Sequence, residues 1–359
     1  MRQAWIGTGP KAQRFEADFA AYKGVAQAAA VNSCTAAMHL ACVALNLKPG
    51  DEVITTAMTF CASVNVIIHA GATPVLCDID PKTLNIDPEQ IEAKITPNTK
   101  ALLIVHYAGR PCDMNAIMAI AKCHNLKVIE DCAHAIETEY HGKKAGTIGD
   151  TGCFSFYATK NIACGEGGMV IAKDADSLAR IRRMVLHGLS ADAWARYSAS
   201  GFKHHYVTDL GFKYNMPDLQ AAIGIHQLKR VEEHWRRREA VWNRYVTELA
   251  PSPFIAPPPI ESNTRHAYHL FTIRIDEKRC GIARDKLLEE MTKRNIGVGV
   301  HYLAIPEQPY YRERYGWRAE DFPEAIRYGR ECISLPISPK LTDEDVTDVL
   351  AALCDIVQW

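Results

Sequence analysis

The chain carries no excess of either charge, no long apolar run, no internal repeat and no low-complexity tract. Lys and Arg total 41 against 42 Asp and Glu, a formal net charge of -1. A protein that holds nucleic acid through counterion release carries a basic face or tail, and this sequence has neither. No stretch approaches the roughly 18 apolar residues of a membrane span. The opening Met-Arg-Gln-Ala-Trp-Ile-Gly also lacks the apolar heart of a secretory leader. Cysteine is plentiful, at 12, but never forms a Cys-x-x-Cys pair. Scattered thiols fit a reducing cytoplasm better than a disulfide scaffold or a zinc site.

What is present is a soluble composition on a chain of 359 residues, enough for about two domains. Short runs rich in Val and Ile recur at residues 51–56, 74–78, 101–106, 127–131, 152–156 and 168–172. Between several of them lie segments with apolar residues three or four apart, at 35–45, 63–69, 113–124 and 177–187. Strands alternating with helices predict an α/β fold whose mostly parallel sheet is covered on both faces. Asp113 is placed as a helix N-cap. One long helix is expected from Pro217 to Leu249, followed by the proline-rich stretch at 250–260, read as a domain boundary. This gives a large domain, 1–249, and a smaller α+β domain, 250–359. In the latter, strand pattern is expected near 269–275 and helices near 284–294 and from Thr342.

Ligands of open parallel sheets gather beyond the carboxyl ends of the strands. Asp131 ends one such strand, Ser155 and Lys160 follow another, and Asn32-Ser-Cys-Thr-Ala-Ala37 opens a helix whose unpaired N–H groups can hold an anion. A lysine in an apolar, Gly-rich turn can lose its proton and attack a carbonyl. An aspartate facing a pyridine nitrogen keeps that ring protonated as an electron sink. A hydroxyl and a helix N-terminus suit a phosphate, and an aromatic such as Phe60 can stack on a ring. Together these are the parts that hold pyridoxal phosphate. Residue by residue, other readings stand open: a solvated Lys160, a capping Asp131, a satisfied strand hydroxyl at Ser155, a core Phe60.

At the level of motifs the chain resembles the DegT/DnrJ/EryC1/StrS sugar aminotransferases, nearly end to end. The resemblance rests on Asn32-Ser-Cys-Thr-Ala-Ala, Pro49-Gly-Asp-Glu-Val-Ile-Thr, Val128-Ile-Glu-Asp-Cys-Ala-His-Ala, Phe154-Ser-Phe-Tyr-Ala-Thr-Lys-Asn161, Gly165-Glu-Gly-Gly168 and Gly299-Val-His-Tyr302. It implies fold type I of the PLP-dependent transferases, with pyridoxal 5'-phosphate as cofactor and pyridoxamine phosphate as its alternate form. It also implies Lys160 as Schiff-base lysine and proton carrier, Asp131 as partner of the pyridine nitrogen, and Phe60 as ring stack. Ser155 with the backbone at Thr35 and Ala36 becomes the phosphate cradle, and His134 lies near the phenolic oxygen. Asn215 is similar to the asparagine that reaches the phosphate from a second subunit, so a homodimer with shared sites is implied. His187, His301 and Tyr302 are candidates for the sugar pocket. No metal ligand set is implied.

Within the family the closest resemblance is to members making UDP-4-amino-4-deoxy-L-arabinose, through Val105-His-Tyr-Ala-Gly109, His187-Gly-Leu, the stretch from Asp192-Ala to Phe212-Lys-Tyr-Asn215, and Tyr310-Tyr-Arg-Glu-Arg-Tyr. The expected reaction moves an amino group from L-glutamate to a keto group, at C4, of a nucleotide-linked sugar, with UDP favoured. Three departures are visible. The N-terminal arm is short, Cys34 stands where Gly is usual, and Leu303-Ala-Ile-Pro306 lacks a second histidine. Two other family readings fit the residues less well. A pyridoxamine-phosphate-dependent dehydratase would replace Lys160, and a regulatory member would have lost the site residues. The close histidine clusters Cys123-His124 and His204-His205 lack zinc-ligand spacing.

Overall fold

The computed structural model describes residues 6–190 and 206–359. Seven strands build the central sheet: β1 (Ala29–Val31), β2 (Glu52–Thr56), β3 (Thr73–Cys77), β4 (Thr99–Val105), β5 (Lys127–Asp131), β6 (Thr151–Ser155) and β7 (Gly168–Ala172). Their spatial order is β1-β7-β6-β5-β4-β2-β3. Strands β2 to β6 pair in parallel, and β7 runs against both of its neighbours. The near-continuous apolar strands follow from burial on both faces. Val53, Leu103, Val105 and Ile129 pack towards the helix Cys34–Ala44, and Ile54, Leu102, Ile104 and Val128 towards the helix Met114–Cys123. Asp113 caps that last helix, its Oδ1 accepting the Ala116 N–H at 3.1 Å.

The helix Pro10–Lys23, which no periodicity announced, seals the sheet near β6 and β7 through Phe15 and Phe19. Its N-terminus is capped from far along the chain. Asp218 accepts the N–H groups of Gly9, Lys11 and Ala12 at 2.8, 3.0 and 2.9 Å, which satisfies amides that a helix leaves unpaired.

The expected single helix from 217 to 249 is two helices, Asp218–Leu228 and Val231–Glu248. The first packs Ala221 and Ile225 beside Phe15. The second turns Val241, Trp242 and Tyr245 into a different core, with Phe271, Ile273, Leu287 and Leu353. Two apolar stripes facing two cores cannot share one straight axis, and the break at Lys229-Arg230 resolves the conflict. Beyond it, Phe271–Arg274 pairs antiparallel with Cys332–Leu335, flanked by the helices Arg284–Lys293 and Asp343–Val357. No helix among the described residues is long and apolar enough to cross a membrane.

Candidate active site

Adjacent parallel strands end together, so the register that pairs Asp131 with Cys153 also brings Asp131 beside the end of β6. There a cavity of about 490 Å³ opens, lined by Thr35, Phe60, Asp131, His134, Ser155, Lys160, His301 and Tyr302, with Cys34 and Thr59. A second cavity of about 790 Å³ adjoins it and shares Thr59, Phe60 and Tyr302. Residues far apart in sequence thus meet where open α/β sheets bind ligands.

Lys160 is partly buried, and its Nζ has no hydrogen-bond or ion-pair partner among the described residues. Burial pushes its ammonium below the ordinary lysine range, opposed by the negative charge of Asp131. Asp131 is held from several sides. Ser63 donates to Oδ2 at 3.0 Å, the Ala133 N–H to Oδ1 at 3.0 Å, and the Cys34 thiol lies 3.8 Å from Oδ1. Because Ser63 donates to Asp131, its oxygen accepts from Thr59, 2.8 Å away. Burial raises the Asp131 carboxyl above its ordinary value, while the Ala133 and Ser63 donors and the Lys160 charge pull it down.

The helix Cys34–Ala44 points its N-terminus at the cavity. Ser33 caps it by accepting the Ala36 N–H at 3.0 Å, so Ala36 is already engaged, whereas Cys34 and Thr35 have no intrahelical acceptor. This end is pressed against β7: a Cβ on Gly168 would lie 2.5 Å from the Ser33 carbonyl. Ser155 accepts the Tyr157 N–H at 3.3 Å and keeps its own proton for another partner. An amine with no partner among the described residues, a buried carboxylate and an anion-ready helix end in one cavity fit the aldehyde, pyridine nitrogen and phosphate of pyridoxal phosphate.

His134 accepts the Ala108 N–H on Nδ1 at 3.3 Å, and its Nε2 lies 3.1 Å from the Tyr302 hydroxyl. Burial, with positive Lys160 and His301 nearby, pushes its imidazolium well below the ordinary histidine value. Two expected residues lie elsewhere. Asn215 lines a separate pocket with Thr8 and donates to the Thr8 hydroxyl at 2.6 Å. His187 lines neither the 490 Å³ cavity nor its neighbour, and its N–H donates to Phe212 at 2.8 Å. The stretch from Asp192-Ala onward and the pair His204-His205 fall outside the described residues.

Several residues around the site carried no signal of their own in the sequence. Ser63 and Thr59 support Asp131. Next to Lys160, the Asn161 amide donates to both Glu137 oxygens, at 3.1 and 2.9 Å, and its oxygen faces His269 Nδ1 at 2.9 Å. His269 in turn packs on His134 with ring centroids 4.3 Å apart. Behind Asp131, the atoms of His106, Glu130 and Cys132 lie within 4.8 Å of one another. Hydrogen bonding already occupies that cluster. His106 Nδ1 accepts the Cys112 N–H, which leaves the Nε2 proton for Glu130 at 2.9 Å. Glu130 also takes the N–H groups of Gly146, Ile148 and Gly149.

Known proteins are similar to this chain in sequence and in fold. The chain is 47% identical over 359 residues to the spore coat polysaccharide biosynthesis protein SpsC of Bacillus subtilis, covering 100% of this chain and 92% of that one. Spr1654 of Streptococcus pneumoniae, described as a sugar aminotransferase and solved in its PMP form, superposes with a TM-score of 0.91 at 30% identity, covering 99% of this chain and 94% of that one. PseC of Helicobacter pylori, an aminotransferase involved in the biosynthesis of pseudoaminic acid, gives 0.92 at 27% identity over 99% and 93% of the two chains. The family profile described as DegT/DnrJ/EryC1/StrS aminotransferase matches residues 1–354. This chain therefore belongs to the DegT/DnrJ/EryC1/StrS aminotransferase family, with the fold of the PLP-dependent aminotransferases and pyridoxal phosphate as its cofactor.

Proposed function

We propose that the protein moves an amino group from L-glutamate to the C4 keto group of a nucleotide-linked sugar, releasing 2-oxoglutarate. The observation that carries this reading is Lys160: a partly buried amine with no partner among the described residues, in one cavity with Asp131 and the open end of the helix Cys34–Ala44. Pyridoxal phosphate, when bound, supplies a ring that stores the electron pair released as a C–H bond breaks. The chain's own residues do the rest. Lys160 holds the cofactor and carries a proton to and from the substrate carbon. Asp131, positioned by Ser63 and Ala133, holds a proton on the ring nitrogen. Ser155 and the N–H of Thr35 bind the phosphate, Phe60 covers the ring, and His134 borders its edge.

A sugar acceptor is supported by the roles of SpsC, Spr1654 and PseC in polysaccharide, sugar and pseudoaminic acid chemistry. The adjoining 790 Å³ cavity provides room for a substrate larger than an amino acid. We take the site to be shared by two copies, with Asn215 serving the partner's phosphate, because Asn215 does not line its own protomer's cavity.

The test is spectroscopic. Purified enzyme loaded with pyridoxal phosphate should show the visible band of the lysine-linked cofactor and lose it on adding L-glutamate. Lys160→Ala should never show that band, and its turnover should fall by about 100-fold or more, as expected when a positioned base is removed. A wild type without the band under excess cofactor would sink the reading. A panel of nucleotide-linked keto sugars, scored by return of the band, then names the acceptor.

A further inference from the structure

Tyr302 lines both the 490 Å³ cavity that holds Lys160 and the adjoining 790 Å³ cavity. Its neighbour His134 fixes where its proton goes. The Ala108 N–H, aimed by a left-handed backbone (φ 57°), donates to His134 Nδ1 at 3.3 Å. A neutral imidazole with one nitrogen accepting carries its proton on the other. His134 Nε2 therefore donates to the Tyr302 oxygen, 3.1 Å away. That oxygen is an acceptor in this pair, so the Tyr302 proton must point elsewhere. No described residue accepts it.

The hydroxyl is also held firmly. The carbonyl of His301 accepts from the Tyr107 hydroxyl, and His301 Nδ1 lies 2.7 Å from the Ser334 hydroxyl. Behind the segment, Gly329 packs so close that a Cβ there would lie 2.7 Å from the Tyr302 carbonyl oxygen. Burial raises the Tyr302 phenol far above its ordinary value, which keeps it a neutral donor at every working pH.

We propose that Tyr302 is a catalytic residue whose O–H, oriented by His134, donates to the carbonyl oxygen of the oxo substrate. This rests on the transaminase reading above. As an amine adds to that carbonyl, the C=O electron pair moves onto oxygen, and a preplaced donor stabilises the growing charge. The oxygen finally leaves as water with the two protons of the amine, so Tyr302 gives up no proton and returns unchanged. Both half-reactions pass through such a carbonyl, one forwards and one in reverse. Tyr302 therefore serves both.

The experiment uses the full chain loaded with pyridoxamine phosphate and mixed with 2-oxoglutarate, following the rise of the visible band in a single turnover. Tyr302→Phe should lower the saturating rate about 100- to 1,000-fold, the usual effect of removing one such donor. The half-saturating 2-oxoglutarate concentration should move by less than about 3-fold, since the lost interaction belongs to the transition state. The absorbance maximum and pH titration of the pyridoxal phosphate form should match wild type. His134→Gln, which keeps an N–H for Tyr302, should lower the rate far less than His134→Ala, and equal losses in the two would overturn the orienting role. An unchanged rate in Tyr302→Phe overturns the proposal. So does a shifted pH titration of the visible band, because the proton would then serve the cofactor's phenolic oxygen. If wild type itself fails to react with 2-oxoglutarate, the transaminase reading falls and takes this one with it.

Discussion

Glu137 is 2% exposed, and its carboxylate meets the Asn161 amide rather than water. Burial pushes its carboxyl up to about 7, with Arg238 and Asn161 pulling the other way. A carboxyl whose folded value exceeds its unfolded one stabilises the fold fully below the unfolded value. That contribution is lost as pH rises through the folded one. The window here runs from about 4.5 to about 7. Glu137→Gln has no proton to lose, so its melting temperature minus that of wild type should rise between pH 5 and pH 8. A flat difference would mean that Glu137 stays ionised throughout, matched by Arg238. None of this was legible in the sequence. Lys160, Asp131 and Ser155 stand in motifs with a chemical logic, whereas Glu137 and His269 acquire their partner Asn161 across 24 and 108 residues. Ser63 likewise meets Asp131 across 68. Such contacts exist only once the sheet has assembled.

Among the elements, the helix Cys34–Ala44 shows how packing places chemistry. Ser33 caps it, and its first turn lies against Gly168 of β7, where a Cβ would reach 2.5 Å from Ser33 backbone atoms and 2.8 Å from the Cys34 nitrogen. Backbone on backbone cannot yield as a flexible side chain would. Gly168→Ala should therefore push the helix end off the strand and destabilise the fold by about 1–3 kcal/mol, the range for overpacking. It should also weaken binding of pyridoxal phosphate, because the Thr35 N–H moves with the helix. Melting curves of the apoenzyme beside cofactor titration check both. A variant with lowered stability and unchanged cofactor affinity would separate the helix end from the phosphate. The strands β2 to β7 were legible because burial on both faces writes short apolar runs, most of them carrying Val or Ile. The helix Pro10–Lys23 was not, since its N-terminus is capped by Asp218 from more than 200 residues away. The break at Lys229-Arg230 was hidden as well: each half is periodic, and only the two cores decide that the halves diverge.

At the scale of the whole molecule, the cavity is lined by Thr35, Phe60, Asp131, His134, Ser155, Lys160, His301 and Tyr302, whereas Ala36 and His187 do not line it and Asn215 is set apart with Thr8. Nearby in sequence, Tyr206, Val207 and Leu210 are 66%, 70% and 83% exposed, three large apolar side chains within five residues. Exposed apolar surface of this kind is suited to contact with another chain. If Asn215 serves the partner's site in a closed two-fold dimer, Lys160 and Asn215 of one active site come from different chains. Lys160→Ala and Asn215→Ala should then each be poor enzymes alone. When the two are unfolded together, mixed and refolded, half of the dimers should be hybrids. One site of each hybrid would combine the intact Lys160 of one chain with the intact Asn215 of the other. Activity should recover to about a quarter of wild type, the share of sites restored by random pairing in a two-fold dimer. If both residues served the same chain's site, every hybrid site would still lack one of them, and mixing would restore nothing. Refolding each variant alone sets the baseline, and sedimentation of the mixture confirms that dimers formed. The recovered fraction therefore reports whether this family's site, as built by this sequence, belongs to one chain or to two.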